Sequence, residues 1–140
     1  MPTILVADDD SDIAHLARRA LVAAGHDVVV AADGATALVH VGSVDLAVLD
    51  VSMPRLNGWE ATEVIRATSE TRDLPVIVVS GLTSADQITT ALDAGADGYL
   101  TKPFVPFELV RRVEHLLDTS PVERRTTRRA GVRRRDLRSA

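Results

Sequence analysis

Four stretches of the chain carry side chains able to handle a metal ion or a phosphate: the pair Asp8 and Asp9, then Asp50, then Ser80, then Lys102. Brought together, the three carboxylates would crowd one small volume. Two like charges about 4 Å apart repel by roughly 4 kcal/mol at an effective dielectric near 20. Such a site must protonate one carboxylate or bind a cation. A hard divalent ion with oxygen ligands suits it. Mg²⁺ in particular uses one or two carboxylates, keeps several waters and takes phosphate oxygens as further ligands. Lys102 would add a compact positive charge able to hold a phosphoryl oxygen, and the Ser80 hydroxyl could donate to another. Taken singly, each residue is ordinary. Adjacent aspartates after a strand commonly make a turn or a helix cap, a lone serine is a solvated loop hydroxyl, and a lone lysine is a surface charge. Only convergence makes them informative, so the elements that carry them decide the matter.

Five short β-branched apolar runs are expected to be strands: Thr3–Ala7, Asp27–Ala32, Leu46–Leu49, Val76–Ser80 and Gly98–Thr101. Helical patterns alternate with them. After the first strand, Ile13, Leu16, Ala17, Ala20, Leu21 and Ala24 recur at the spacing of one helix face, with Ser11 as the expected cap and Gly25 as the stop. The second helix should run from about Gly34 to Val41. The third should start near Gly58 and turn Ala61, Val64 and Ile65 inward. The fourth opens on the capping-box pair Ser84 and Gln87 and should bury Ile88, Ala91 and Leu92 before Gly95. The fifth has Pro106 at its first turn, then Val110, Val113 and Leu117 on one face. Runs buried on both faces with short connections predict an α/β fold, a doubly wound five-stranded parallel sheet with helices on both faces. The expected strand order is the flavodoxin-like 2-1-3-4-5. Ligands of such sheets sit beyond the carboxyl ends of the strands. Asp8 and Asp9, Asp50, Ser80 and Lys102 all fall at that end, whereas Asp10, Asp12, Asp33 and Asp45 fit helix or strand entry.

The composition bounds the alternatives. Apolar residues make up 46% of the 140 positions and only four residues are aromatic, so the core must be built from many small aliphatic contacts. There is no cysteine, which excludes disulfides and thiolate metal sites. The acidic start after a short apolar run does not resemble a signal peptide, and no apolar run approaches the roughly 18 residues of a membrane span. A cytoplasmic chain without membrane contact is expected. The net charge of −4 conceals an asymmetry: residues 1–118 carry −10 and residues 119–140 carry +6. Residues 1–118 are therefore read as one domain and residues 119–140 as a flexible basic tail, with seven of its eight arginines in runs of two or three and too few large apolar residues for a core of its own. Nucleic acid or an acidic partner could be met through that tail, electrostatically and with strong salt dependence.

Four blocks make the pattern specific: ILVADDDSD, DLAVLDVSMPRLNGWE, PVIVVSG and GADGYLTKPF. In order and spacing they resemble the signatures of the response-regulator receiver family of bacterial two-component systems, over about residues 3–118. The resemblance implies that Asp50 is the phosphoacceptor and that Asp8 and Asp9 form an acidic Mg²⁺ pocket, with Asp9 the preferred direct ligand and the Ser52 backbone carbonyl a further one. It implies that Ser80 is a switch hydroxyl, Lys102 the phosphate-pairing lysine and Tyr99 an aromatic switch. It also implies a cis Lys102–Pro103 peptide. The phosphoryl donor would be a sensor histidine kinase or a histidine phosphotransfer protein. The chain would then catalyse only its own phosphorylation and dephosphorylation and switch binding to a downstream protein.

Some positions depart from that pattern. Gly81 stands where the family commonly has Ala, Ser52 is too small to screen a phosphoryl group, and Val105 replaces a polar cap before Pro106. Trp59 is expected to be a partly exposed residue of the third helix. His15, His26, His40 and His115 lack metal-ligand spacing and are expected at the surface or in helices. Two other functions compete. The chain could be the N-terminal receiver of a longer regulator with its own output domain. It could also be a Mg²⁺-dependent phosphohydrolase working through an aspartyl phosphate, although that chemistry needs a general acid where Ser52 stands.

Overall fold

The computed structural model describes residues 1–81 and 85–128, with the side chains of residues 85–88 left undescribed. Five strands alternate with helices: β1 (Thr3–Ala7), α1 (Ser11–Ala23), β2 (Asp27–Ala31), α2 (Gly34–His40), β3 (Leu46–Asp50), α3 (Gly58–Ala67), β4 (Val76–Ser80), α4 (Ala85–Asp93), β5 (Gly98–Thr101) and α5 (Pro106–Leu117). Residues 121–128 form a further helix, α6. All pairings are parallel, in the order β2-β1-β3-β4-β5. This is the expected doubly wound topology.

The period-2 alternation of the strands divides their side chains between two cores. Leu5, Ala7, Ala47, Leu49, Val76 and Val78 face a cluster closed by Ala37 of α2 and by Ala61 and Ile65 of α3. Ile4, Val6, Leu46, Val48, Ile77 and Val79 face the opposite cluster, closed by Ala14, Ala17 and Leu21 of α1 and by Leu109, Val113 and Leu116 of α5. Every residue of β3 and β4 is buried, so these strands read as unbroken apolar runs.

The helix faces differ in detail from the expected ones. Asp10, not Ser11, caps α1, its side chain accepting from the Asp12 and Ile13 amides. Leu16 and Val64 are 44% and 42% exposed, while Ala14 and Thr62 take the inward positions. Thr62 can do so because its hydroxyl donates to the Gly58 carbonyl at 2.7 Å, so its own buried donor is paired. Ser84, Gln87 and Ile88 lie outside the described side chains. His26, expected at the surface or in a helix, is buried beside β2, 3.4 Å from Glu114 of α5.

The first residues of the basic tail are helical and packed. Arg124 is 7% exposed; its guanidinium donates to the carbonyls of Leu116, Thr119 and Asp73. Arg125 pairs with the Asp73 carboxylate and Arg128 with Asp97. A segment without an apolar core of its own can dock when arginines satisfy carbonyls at the ends of neighbouring elements. Residues 129–140 lie outside the described residues.

Candidate functional site

Strand adjacency brings the sequence-distant side chains together. Asp8 directly follows β1, Asp50 ends β3, Ser80 ends β4 and Lys102 directly follows β5. These strands are neighbours in that order, and the Lys102 amide donates to the Ser80 carbonyl at 2.8 Å, which holds the last two ends in step. Asp8, Asp50 and Ser80 are 5%, 3% and 1% exposed; Asp9 is exposed.

The Lys102 ammonium bridges two carboxylates, 2.9 Å from Asp8 Oδ2 and 3.1 Å from Asp50 Oδ1. The other Asp8 oxygen accepts the Asp10 amide at 2.9 Å. One carboxylate oxygen from each of Asp8, Asp9 and Asp50 lies within 4.8 Å of the others. Burial pushes the Asp50 carboxyl above its ordinary value; Lys102 opposes this by hydrogen bond and charge, the Asp8 charge adds to it, and the Ser52 N–H lowers it slightly. Burial alone would lower the Lys102 pKa, but Asp8 and Asp50 outweigh it and the net shift is upward. One ammonium thus pairs with two of three clustered carboxylates and leaves negative charge uncompensated. Oxygen donors with an acidic excess suit a hard divalent cation.

The loop after Asp50 is positioned by α3. Asn57 and Glu60 form a reciprocal capping box, with bonds of 2.8 and 3.1 Å. Gly58 packs so closely that a Cβ there would lie 2.6 Å from the Asp50 carbonyl oxygen. The Asn57–Glu60 spacing is legible as a helix start, but the contact with Asp50 is not. Ser52 is exposed at the opening of this loop. Tyr99 is half-buried in β5, in register with Val78, and packs against the α2–α3 side core. The Lys102–Pro103 peptide is cis. Val105 caps α5 without a side-chain hydrogen bond. Trp59 is half-buried against the same core as Tyr99, its indole nitrogen buried without a hydrogen-bond partner.

Doubly wound parallel sheets of this class of α/β domain bind ligands beyond the carboxyl ends of their strands, where this chain gathers an acidic cluster and one lysine. A family model described as the response regulator receiver domain matches residues 4–114. The transcriptional regulatory protein PrrA of Mycobacterium tuberculosis is 45% identical over 118 residues, covering 83% of this chain and 50% of PrrA. The structure of the Francisella response regulator 1452 receiver domain aligns with a TM-score of 0.78 and 38% identity, over 84% of this chain and 97% of that one. The receiver domain of the sensor histidine kinase PA1611 from Pseudomonas aeruginosa PAO1, described with a magnesium ion coordinated in its active-site cleft, aligns with a TM-score of 0.78 and 28% identity, over 84% and 98%. The chain belongs to the response regulator receiver domain family. It spans about half the length of the curated relatives it matches.

Proposed function

We propose that Asp50 is the phosphoacceptor of this receiver domain and that Asp8, Asp9 and the Ser52 backbone carbonyl, with Asp50 itself, hold a Mg²⁺ ion. The observation that carries this reading is the Lys102 ammonium lying between Asp8 and Asp50 inside a three-carboxylate cluster. The bound ion would supply positive charge to the transferring phosphoryl oxygens.

An Asp50 oxygen attacks phosphorus in line; the new O–P bond replaces the P–N bond of a phosphohistidine, and the imidazole leaves. Positioning and charge neutralisation dominate such a transfer. Lys102 already sits on the Asp50 carboxylate and shifts its ammonium to a phosphoryl oxygen as charge builds there. Ser80, buried at the adjacent strand end, donates its hydroxyl to another. Tyr99 then follows Ser80 inward and alters the surface around α4, β5 and α5, which biases a two-state element. Water later hydrolyses the acyl phosphate, so the chain's only catalysis is on itself.

The donor is a sensor histidine kinase or a histidine phosphotransfer protein, and the acceptor of the signal is a downstream protein. A cytoplasmic location goes with this reading; among the described residues no helix is long and apolar enough to cross a membrane. Incubation with acetyl phosphate and Mg²⁺, read by intact mass, tests the chemistry. The wild type is expected to gain one phosphoryl group and Asp50→Asn none. A wild type that stays unmodified, or a variant that gains the same mass, overturns the assignment.

A further inference from the structure

Helix α6 places its arginines against the amino ends of the strands, away from the phosphoacceptor. Arg66 of α3 donates to Asp97 at 2.7 Å, and Arg128 of α6 takes the other Asp97 oxygen. The Asp97 side chain is 2% exposed and also accepts the Val76 amide. Arg125 reaches Asp73 at 3.2 Å, while Arg124 fills the space between on backbone carbonyls. Three guanidiniums thus share two carboxylates, with that of Arg124 close by on backbone carbonyls. Burial first, opposed by Asp97 and aided by Arg128 and Arg124, lowers the Arg66 pKa to about 10. Burial likewise lowers Arg124.

We propose that α6 is a latch whose arginines are held on the acidic body until a nucleic-acid phosphate backbone takes them over. The proposal is independent of the phosphoryl-transfer reading. Charge and composition carry it. The crowded cations gain by each finding its own anion, and a phosphate backbone offers one charge per about 1.7 Å of duplex. Residues 119–140 add Arg129, Arg133, Arg134, Arg135 and Arg138, and their only large apolar residues are Val122, Val132 and Leu137. Protein interfaces draw on an apolar, often aromatic centre; phosphate contacts need none. The −10 charge of residues 1–118 competes with nucleic acid for the same arginines, so the closed latch restrains the tail.

The test uses the full chain and a fluorescein-labelled mixed-sequence duplex of about 20 base pairs, with affinity followed by anisotropy across a salt series. Each phosphate contact contributes about 0.9 to the log–log salt slope. The double variant Arg125→Gln/Arg128→Gln is therefore expected to lose about 2 from that slope. Asp73→Asn leaves every arginine in place and weakens the latch. It is expected to tighten binding about two- to fivefold, the scale of an exposed ion pair, relative to Glu63→Gln, which changes the charge equally on the exposed side of α3. No binding at low salt, an unchanged slope in the double variant, or no difference between Asp73→Asn and Glu63→Gln overturns the proposal. Equal affinity for poly-glutamate of matching charge overturns the nucleic-acid assignment.

Discussion

The Asp50 carboxyl sits where burial disfavours ionisation, and the consequence can be measured without any phosphoryl donor. Its carboxyl lies above the ordinary value because of burial and the Asp8 charge, against the opposing pull of Lys102. A carboxyl with a raised folded pKa binds protons more tightly folded than unfolded, so stability rises as pH falls through the raised value toward the ordinary one. In Mg²⁺-free buffer the thermal midpoint is expected to climb as pH drops from neutrality toward that window, and the Asp50→Asn variant should lack this climb. At neutral pH the variant should melt higher than the wild type, and added Mg²⁺ should shrink the gap. A lower midpoint for Asp50→Asn at neutral pH would show that the Lys102 contact dominates instead. Lys102 has the opposite window: its raised pKa gives a contribution complete below the ordinary lysine value and lost as pH rises through the folded one. At Gly81 a Cβ meets nothing within 4 Å among the described residues, so Gly81→Ala should fold normally. By covering the strand end next to Ser80, its methyl is expected to lengthen the phosphoryl lifetime about twofold or more, read from the decay of the phosphorylated mass; an unchanged decay rejects this. The site residues were legible because each chemically able side chain closes a β-branched run. Asp97 was not, because a carboxylate one residue before a strand looks like any turn residue until the arginines converge on it.

At the scale of elements, the strands were readable and the helix faces only in part. β3 and β4 are apolar at almost every position because both faces are covered, and no other element type explains such short runs. In α1 and α3 the hydrophobic periodicity pointed Leu16 and Val64 inward, yet the helices turn Ala14 and Leu21, and Thr62 and Ile65, to the core. Gly58 is a sensitive position. An added methyl would meet the Asp50 carbonyl at 2.6 Å, a backbone atom that cannot swing away. Gly58→Ala is expected to destabilise the domain by about 1–3 kcal/mol, seen in urea denaturation, and to slow phosphorylation of Asp50. Asn57→Ala should cost about 0.5–2 kcal/mol through loss of the capping box with a smaller effect on phosphorylation. Equal effects on phosphorylation would mean that the loop is fixed by the cap and not by the contact.

Across the whole molecule, packing does not stop where the composition changes, and tail arginines pair with body carboxylates. Composition separates residues 1–118 from 119–140, whereas packing continues through residue 128 because Arg124 fills hydrogen-bond sites that no apolar residue could. Periodicity has no way to announce a buried arginine. Truncation after Asp118 is expected to lower stability by about 1–2 kcal/mol in denaturant titration, given that hydrogen bonds to charged groups contribute about 1.5–3 kcal/mol each and water replaces part of that. An unchanged midpoint would assign the α6 contacts no role in stability.

The shortest strand has the widest reach. Only four residues, Gly98–Thr101, separate the acid that anchors Arg66 and Arg128 from the lysine that grips Asp50. At about 3.3 Å per residue that is a rod roughly 13 Å long, bonded along its length to β4 and stiff in the direction that matters. On the proposed mechanism Lys102 changes partner, and a pull on that end would pass along the paired strand. A beryllofluoride adduct at Asp50 is therefore expected to move the Asp97 amide resonance, so that one backbone signal on the far side of the domain reports the state of the near side.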